Sequence, residues 1–362
     1  MSARALASCL GRTAARRGAR GTARGAAMAT HGDGGAPPDG GAREGGKKKK
    51  KKGLLTEEAM FDWAAVEGDV GAVRLVDIGA NLADGCFDAD REEVLRRAAV
   101  HGRVAAVVVT GTSVGQSQHA LEIAARAAAA GGAAPRVFAT AGVHPHDANS
   151  LEGPGPGLDA IARLVGHPRC VAVGECGLDY NRDLSPRDVQ RRWFEAQVRL
   201  ACEHRKPLFV HCREANDDLC AIIERVARET AGAPPAPAPP ALPVAAVVHC
   251  FTGTAAEAAR LLALGCHIGF TGWICDEREG RAEQMAEVIR AVPDARIMIE
   301  TDAPYLPPRR ISPPRLRPRR NEPCLLPHVL ATVAEVRGQS VQEVARISTE
   351  NAMRFFGIAE DG

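Results

Sequence analysis

No Cys-x-x-Cys pair occurs among the eleven cysteines of this 362-residue chain, and without such a pair zinc bound through thiolates is not expected. Cys86, Cys170, Cys212, Cys250 and Cys266 instead fall in or beside short apolar runs, which reads as buried, reduced thiols of an intracellular protein. Also absent is any run of about 18 uncharged apolar residues, so no membrane span is expected. Nor does one sign of charge dominate: 46 Lys+Arg stand against 44 Asp+Glu, a formal +2, so only local clustering can name a partner. One stretch has no acid at all. Before Asp33 the chain is Ala, Ser, Thr and Gly interspersed with Arg4, Arg12, Arg16, Arg17, Arg20 and Arg24, the composition of a mitochondrial or plastid transit peptide. A Gly/Pro-rich stretch then leads into the lysine run Lys47 to Lys52, suited to nuclear import or to contact with nucleic acid. Residues 1–52 are therefore read as a disordered basic leader. The alternatives are a nuclear or cytoplasmic protein with an uninformative tail, and a start at Met28.

What is present from Val73 onward is an alternation of strand-like and helix-like segments, repeated eight times, as βαβ units require. The apolar runs are 73–81, 104–111, 137–144, 170–175, 207–211, 245–249, 266–272 and 296–302. Between them lie helical segments with readable ends. Arg91 to Val100 is closed by Gly102 as a C-cap; Ser185 and Pro186 offer an N-cap and first turn ahead of a face made of Val189, Trp193, Ala196 and Leu200. The length allows one domain of roughly 250 residues plus appendages. The expected organisation is the leader, a linker over 53–72, and a distorted (β/α)8 TIM barrel of the α/β class over 73–358. A Pro/Ala-rich insert at 231–243 is expected on the barrel face opposite the site.

Four of the apolar runs break off at a metal-type ligand: VAVGE at Glu175, PLFVH at His211, AAVVH at His249 and RIMIETD at Asp302. In a (β/α)8 barrel the C-terminal strand ends meet around one mouth, so ligands far apart in sequence converge. Two imidazoles and two carboxylates suit Mg2+, Mn2+, Zn2+ or Fe2+, with Mg2+ favoured. Such an ion lowers the pKa of bound water and offsets charge on a phosphoryl or carbonyl oxygen. Asp302 is suited to orient or deprotonate that water. Around the same rim stand Asp77 and Asn81 on the first strand, and His144 and His146 after the third. His144 would hold a phosphate oxygen or the leaving group, or act as a structural imidazole. Arg213 would clamp a phosphate or, equally, form a buried salt bridge to Glu175 or Glu300. Trp273 and Tyr305 would stack on an unpaired base or pack at the rim. The loop Pro307 to Arg320 holds six arginines and no acid, and Arg320, Asn321 and Glu322 would reach back over the site.

At these residues the chain resembles the TatD-like metal-dependent deoxyribonucleases. The segments DIGANL, AGVHPHD, VGECGLDYNRD, HCREA, VVHCFTGT, GFTGWICDER, ETDAPYLPP and RRNEP look like that family's motifs in order, from Asp77 to about Gly357. The resemblance implies a distorted TIM barrel and divalent-metal-dependent nuclease activity on DNA. It also implies metal ligands at Glu175, His211, His249 and Asp302, and His144 near the scissile phosphate. One departure stands out: a DxHxH run on the first strand is common in the wider family, but Asp77, Gly79 and Asn81 occupy those positions here. One firmly held ion is therefore expected, with a second, weaker Mg2+ recruited by substrate phosphate.

The favoured activity is hydrolysis of DNA, single-stranded and from its 3' end, or of RNA, by water activated at the ion, with the arginine loop supplying salt-sensitive affinity. Asp302, His144 and Glu175 would carry the chemistry. The alternatives are a metal-dependent amide or ester hydrolase such as an aminoacyl-tRNA deacylase, and a nucleic-acid-binding protein with weakened catalysis. No membrane and no required protein partner are expected.

Overall fold

Eight parallel strands follow one another around a single sheet in chain order: β1 Leu75–Ala80, β2 Val104–Val109, β3 Arg136–Ala141, β4 Cys170–Asp179, β5 Leu208–Arg213, β6 Ala246–Val248, β7 His267–Phe270 and β8 Ile297–Ile299. This computed structural model describes residues 55–359 except 133, 154, 156, 232–240, 277 and 279. The basic leader and most of the Pro/Ala insert lie outside the described residues.

The strands read as apolar runs because they are buried on both faces. Alternate residues serve two different cores. Val76, Ile78, Ala106, Val108, Phe209, Val247 and Met298 fill the barrel interior, while Leu75, Ala80, Val107, Val109 and Val210 face the surrounding helices. Those helices are α1 Arg91–Val100, α2 Val114–Ala130, α3 Gly157–Val165, α4 Arg187–His204, α5 Asn216–Ala231, α6 Ala255–Ala263, α7 Arg281–Ala291, α8 Leu326–Arg337 and α9 Val341–Phe356. Phe355 and Phe356 of α9 and the following Ile358 join the interior cluster, with Phe355 edge-on to His267 at the start of β7. The N-terminal mouth is thereby plugged, which leaves the C-terminal mouth for chemistry. The seam between β8 and β1 is closed by Asp302 N donating to Gly79 O (2.8 Å) and Asn81 N donating to Ala303 O (2.6 Å). The chain is thus a (β/α)8 barrel, as its alternating pattern predicts.

Local expectations fare unevenly. Helix α1 spans the predicted residues, with His101 at its C-cap and Gly102 one position beyond. Ser185, by contrast, does not cap α4, whose N-cap is Pro186 with no side-chain bond. Its hydroxyl donates to His146 O (2.9 Å) instead and accepts from Asn149 N (3.2 Å), tying the β4–α4 loop to the β3–α3 loop. The buried face of α4 is centred on Phe194, Val198 and Ala201, while Trp193 stays only partly covered. Residues 55–66, within the stretch expected as a linker, carry tertiary contacts. Ala59 is buried with Ile311, Cys324 and Leu325, Trp63 Nε1 donates to His101 O (2.9 Å), and His328 Nε2 donates to Ala59 O (3.0 Å). Among the described residues no helix is long and apolar enough to cross a membrane.

Candidate active site

The C-terminal mouth opens into a cleft of about 950 Å³ lined by His144, Glu175, His211, His249 and Asp302, among others. Its floor is organised by one carboxylate oxygen. Glu175 Oε1 lies 2.7 Å from His249 Nε2, 3.1 Å from His211 Nδ1 and 3.2 Å from His144 Nε2. Four strand ends supply these groups, but not each in the expected way. Glu175 sits inside β4, which runs four residues further, to Asp179, with a register shift against β5 between Val173 and Cys176. Since side chains two and four apart share a strand face, Glu175 and Asp179 both point to the site, with Gly177 between them. A Cβ on Gly177 would collide with His211 O, so glycine lets β4 and β5 run close enough to bring both acids to that imidazole.

Of the three imidazoles around Glu175, His144 is fixed by a hydrogen bond at its second nitrogen, whereas the second nitrogens of His211 and His249 face carboxylates without one. His144 caps the 3-10 turn Pro145–Leu151 and its Nδ1 accepts from His146 N at 3.1 Å, so Nε2 carries the proton and faces Glu175. His146 Nε2 lies 2.7 Å from Asp179 Oδ2. His211 Nε2, buried and without a hydrogen bond, is 3.5 Å from that same Asp179 oxygen. His249 Nδ1 faces Glu300 Oε2 at 3.4 Å, both atoms also buried and unbonded.

Electrostatics follow the packing. Burial raises Glu175, but the charges of His249 and His144 outweigh it and hold the carboxyl well below its usual range. Burial lowers His249 as well, yet Glu175 and then Glu300 lift it well above an ordinary histidine. His144 is depressed, chiefly by burial. Asp302, half-buried at φ +53°, accepts from Asn81 Nδ2 at 2.8 Å, and burial pushes its carboxyl up to about 7. A left-handed backbone at a residue other than glycine costs energy and is common at functional positions.

The cleft floor can hold a divalent cation, though the cluster is not the expected four. Among the described residues the group whose ligand atoms all lie within 4.8 Å of one another is His144, Glu175 and His211, and ligands about 2.0–2.2 Å from an ion must cluster on that scale; His249 joins it through Glu175 Oε1 at 2.7 Å, and Asp302 is not part of it. The three imidazole nitrogens crowding one carboxylate oxygen leave buried nitrogens unpaired, as expected of a site shaped around a positive charge.

Several expected site residues lie elsewhere. Asp77 does not reach the cleft: its fully buried carboxyl accepts from Thr301 N (2.9 Å) and Thr301 Oγ1 (2.5 Å) in the β1–β8 seam. Asn321 is fully buried and its amide donates to Thr301 O (2.9 Å), Tyr305 O (2.7 Å) and Leu306 O (3.3 Å), holding the β8–α8 loop in shape. Arg320 is engaged by Asp90 (2.6 Å) and Glu322 (2.7 Å) and lies over the Phe87 ring, away from the cleft. Arg213, Trp273 and Tyr305 do line it; Arg213 is exposed and has no ion pair among the described residues, so the salt bridge to Glu175 or Glu300 is not formed. Trp273 lies beneath the Arg281 guanidinium, and Tyr305 is 55% exposed at the rim. At the first-strand departure, a side chain on Gly79 would strike Glu300 Oε2 and come within 2.8 Å of Phe209 Cζ. No imidazole can enter there.

Sequence reasoning assigned no role to Asp179 or to the two buried glutamines behind it. Gln190 Oε1 accepts from Asp179 N (2.8 Å) and Gln197 Oε1 accepts from Val143 N (2.8 Å), so α4 steadies the ends of both β4 and the β3 loop. The available signal was the Glu175, Gly177, Asp179 alternation, which places a second acid on the strand face that bears the first.

Comparison with known proteins agrees with this architecture. The sequence model of the TatD related DNases matches residues 76–357. The chain is 43% identical over 284 residues to the 3'-5' ssDNA/RNA exonuclease TatD of Pantoea ananatis, covering 78% of this chain and 100% of that one. It is 40% identical over 289 residues to the protein of the same name from Klebsiella pneumoniae, covering 80% and 100%. Among solved structures, a TatD family hydrolase from Entamoeba histolytica superposes with a TM-score of 0.66 at 26% identity, covering 78% of this chain and 98% of that one. The TatD homolog YJJV from Escherichia coli gives 0.66 at 26%, covering 79% and 99%. With the family's sequence model spanning the whole barrel and curated relatives matched along their full length, this chain belongs to the family of TatD related DNases.

Proposed function

We propose that the protein is a divalent-metal-dependent exonuclease that shortens single-stranded DNA or RNA from the 3' end. The observation that carries this reading is the convergence of His144, His211 and His249 on Glu175 Oε1 at the floor of an open cleft. The names of the curated relatives support the substrate and polarity. Glu175, His211, His249 and Asp302 would hold one ion, Mg2+ by preference with Mn2+ or Zn2+ as substitutes, and a second Mg2+ would enter with the substrate. When bound, the ion supplies Lewis acidity toward a phosphodiester and its attacking water.

The remaining work falls to side chains. Asp302, its oxygen set by Asn81, would orient the attacking water and take its proton. His144, with its proton on Nε2, would donate to a phosphoryl oxygen or the departing oxygen. Arg213 at the wall would pair with a neighbouring phosphate, and Tyr305 and Trp273, which both line the cleft, would stack on an unpaired base.

Purified protein incubated with a 5'-labelled single-stranded oligonucleotide and Mg2+ should produce a descending ladder, and chelator should abolish it. Glu175→Gln should lower the rate by at least about 100-fold with little change in oligonucleotide affinity. Rapid deacylation of aminoacyl-tRNA with no oligonucleotide shortening would overturn the proposal.

A further inference from the structure

The loop from β8 to α8 carries two apolar side chains, Ile311 and Leu316, that belong to neither core of the barrel. They are received instead by the segment ahead of β1. Ala59, Ile311, Cys324 and Leu325 are each exposed by 3% or less in a cluster of their own, and Leu55, Met60 and Leu316 pack around it. The segment is tied down on two helices. At α8, His328 Nε2 donates to Ala59 O at 3.0 Å and its ring stands edge-on to Phe61. Just past α1, Trp63 Nε1 donates to His101 O at 2.9 Å, and the Arg103 guanidinium covers the indole. Residues 55–63 are thus packed against the loop, ahead of the residues 76–357 that the family's sequence model matches.

The gripped part of the loop is the part that carries free charge. Arg317 Nε donates to Ile311 O and Leu316 N to Pro313 O, each at 2.9 Å, so the stretch between the two apolar anchors is folded on itself. Arg315 and Arg319 stand beside it, exposed and with no ion pair among the described residues. A loop left free must be ordered when it binds, and that ordering opposes affinity. Anchoring Ile311 and Leu316 beforehand takes this cost out of the binding step. No residue of 55–66 lines the cleft, so the segment can act on the loop without acting on the floor.

We propose that residues 55–63 are a strap that positions the arginine loop, holding Arg315 and Arg319 where they meet the phosphates of a strand bound in the cleft. The inference rests on the nuclease reading above. Because coupling between two binding events is reciprocal, a bound strand tightens the strap as much as the strap favours the strand.

Ala59→Asp in the full-length protein sets a carboxylate in the apolar cluster and should release the strap; Met60→Ser is a milder second variant. At a temperature where circular dichroism shows a folded barrel, KM for a single-stranded oligonucleotide should rise about 10-fold, with kcat within about twofold of wild type. On the Glu175→Gln background, the slope of log K against log salt should become shallower by about 1.4, from two phosphate contacts at about 0.7 each. Replacing Arg315 and Arg319 together by Ala should cause the same loss in the parent and no further loss beside Ala59→Asp. A folded strap variant with wild-type KM and slope overturns the inference, as do a fall in kcat alone and additive losses in the combined variant. If neither strap variant folds, amide exchange of the Glu175→Gln protein decides. Saturating oligonucleotide should slow exchange in 55–60 together with 307–320, and slowing confined to the loop overturns the inference. Wild-type protein that neither binds nor shortens the oligonucleotide with Mg2+ overturns the nuclease reading and the strap with it, whereas a silent strap in a protein that cuts leaves that reading standing.

Discussion

Asp77 shows how a single residue of a recognisable motif can serve the scaffold. Its carboxyl is sealed in the β1–β8 seam, and burial drives its pKa up to about 8 despite the bonds from Thr301. In the unfolded chain the same group ionises near its usual value of about 4. A folded pKa above the unfolded one means that the native state holds the proton more tightly. The resulting stabilisation is full below about pH 4 and is lost as pH rises to about 8. Asp77→Asn keeps the shape and the acceptor for Thr301 N without an ionisation to suppress. Denaturant midpoints measured from pH 5 to pH 8 should therefore show the variant gaining on wild type as pH rises. Parallel pH profiles for the two proteins would mean that Asp77 is ionised in the folded seam.

At the scale of elements, a similar argument applies to the segment 55–66 and its anchor on α8. His328 donates to Ala59 O, stacks edge-on against Phe61, and is pushed down to about 4 by burial. Here the folded pKa lies below the unfolded one, so the contribution is present above about pH 6.5 and is lost as pH falls toward 4. Amide exchange in residues 55–66, corrected for intrinsic rates, should accelerate through that window ahead of exchange in the barrel strands. Uniform acceleration would show that the segment opens only with the barrel. This anchor was not legible in the sequence, because isolated short turns carry no periodicity to read. The strands were legible because burial on both faces makes each an apolar run, and the cleft positions of Glu175, His211, His249 and Asp302 were legible because four such runs end in or near a His or acid. The misplacements have physical causes too. Apolar character gave no sign that β4 continues to Asp179, since the polar end of that strand is buried by its partners Gln190 and His146. Ser185 looked like a cap from its neighbours alone, whereas its hydroxyl is drawn to His146 O across a loop it could not be seen to approach.

For the whole molecule, the question is how much of its basic surface is free to meet a polyanion. The acid-free loop 307–320 suggests six available charges, but the fold spends several internally. Arg320 pairs with Asp90 and Glu322, Arg309 lies 3.6 Å from Asp276, Arg310 lies 3.6 Å from Glu335, and Arg317 Nε donates to Ile311 O. Exposed arginines with no ion pair among the described residues on this side are Arg182 and Arg213 in the cleft wall, with Arg315 and Arg319 on the loop. A single strand loses about 0.7 counterion per neutralised phosphate, so four contacts imply a slope of log K against log salt near −3, and eight would imply one steeper than −5. Binding of a fluorescent single-stranded oligonucleotide to the Glu175→Gln protein between 50 and 300 mM KCl, both chosen as convenient, distinguishes the two. Arg213→Ala should make the slope shallower by about 0.7. Arg320→Ala should leave the slope unchanged and lower thermal stability instead, because its charge is already answered by Asp90 and Glu322. If Arg320→Ala flattens the slope as much as Arg213→Ala does, those internal pairs open on binding and the loop acts on nucleic acid as its composition alone suggests.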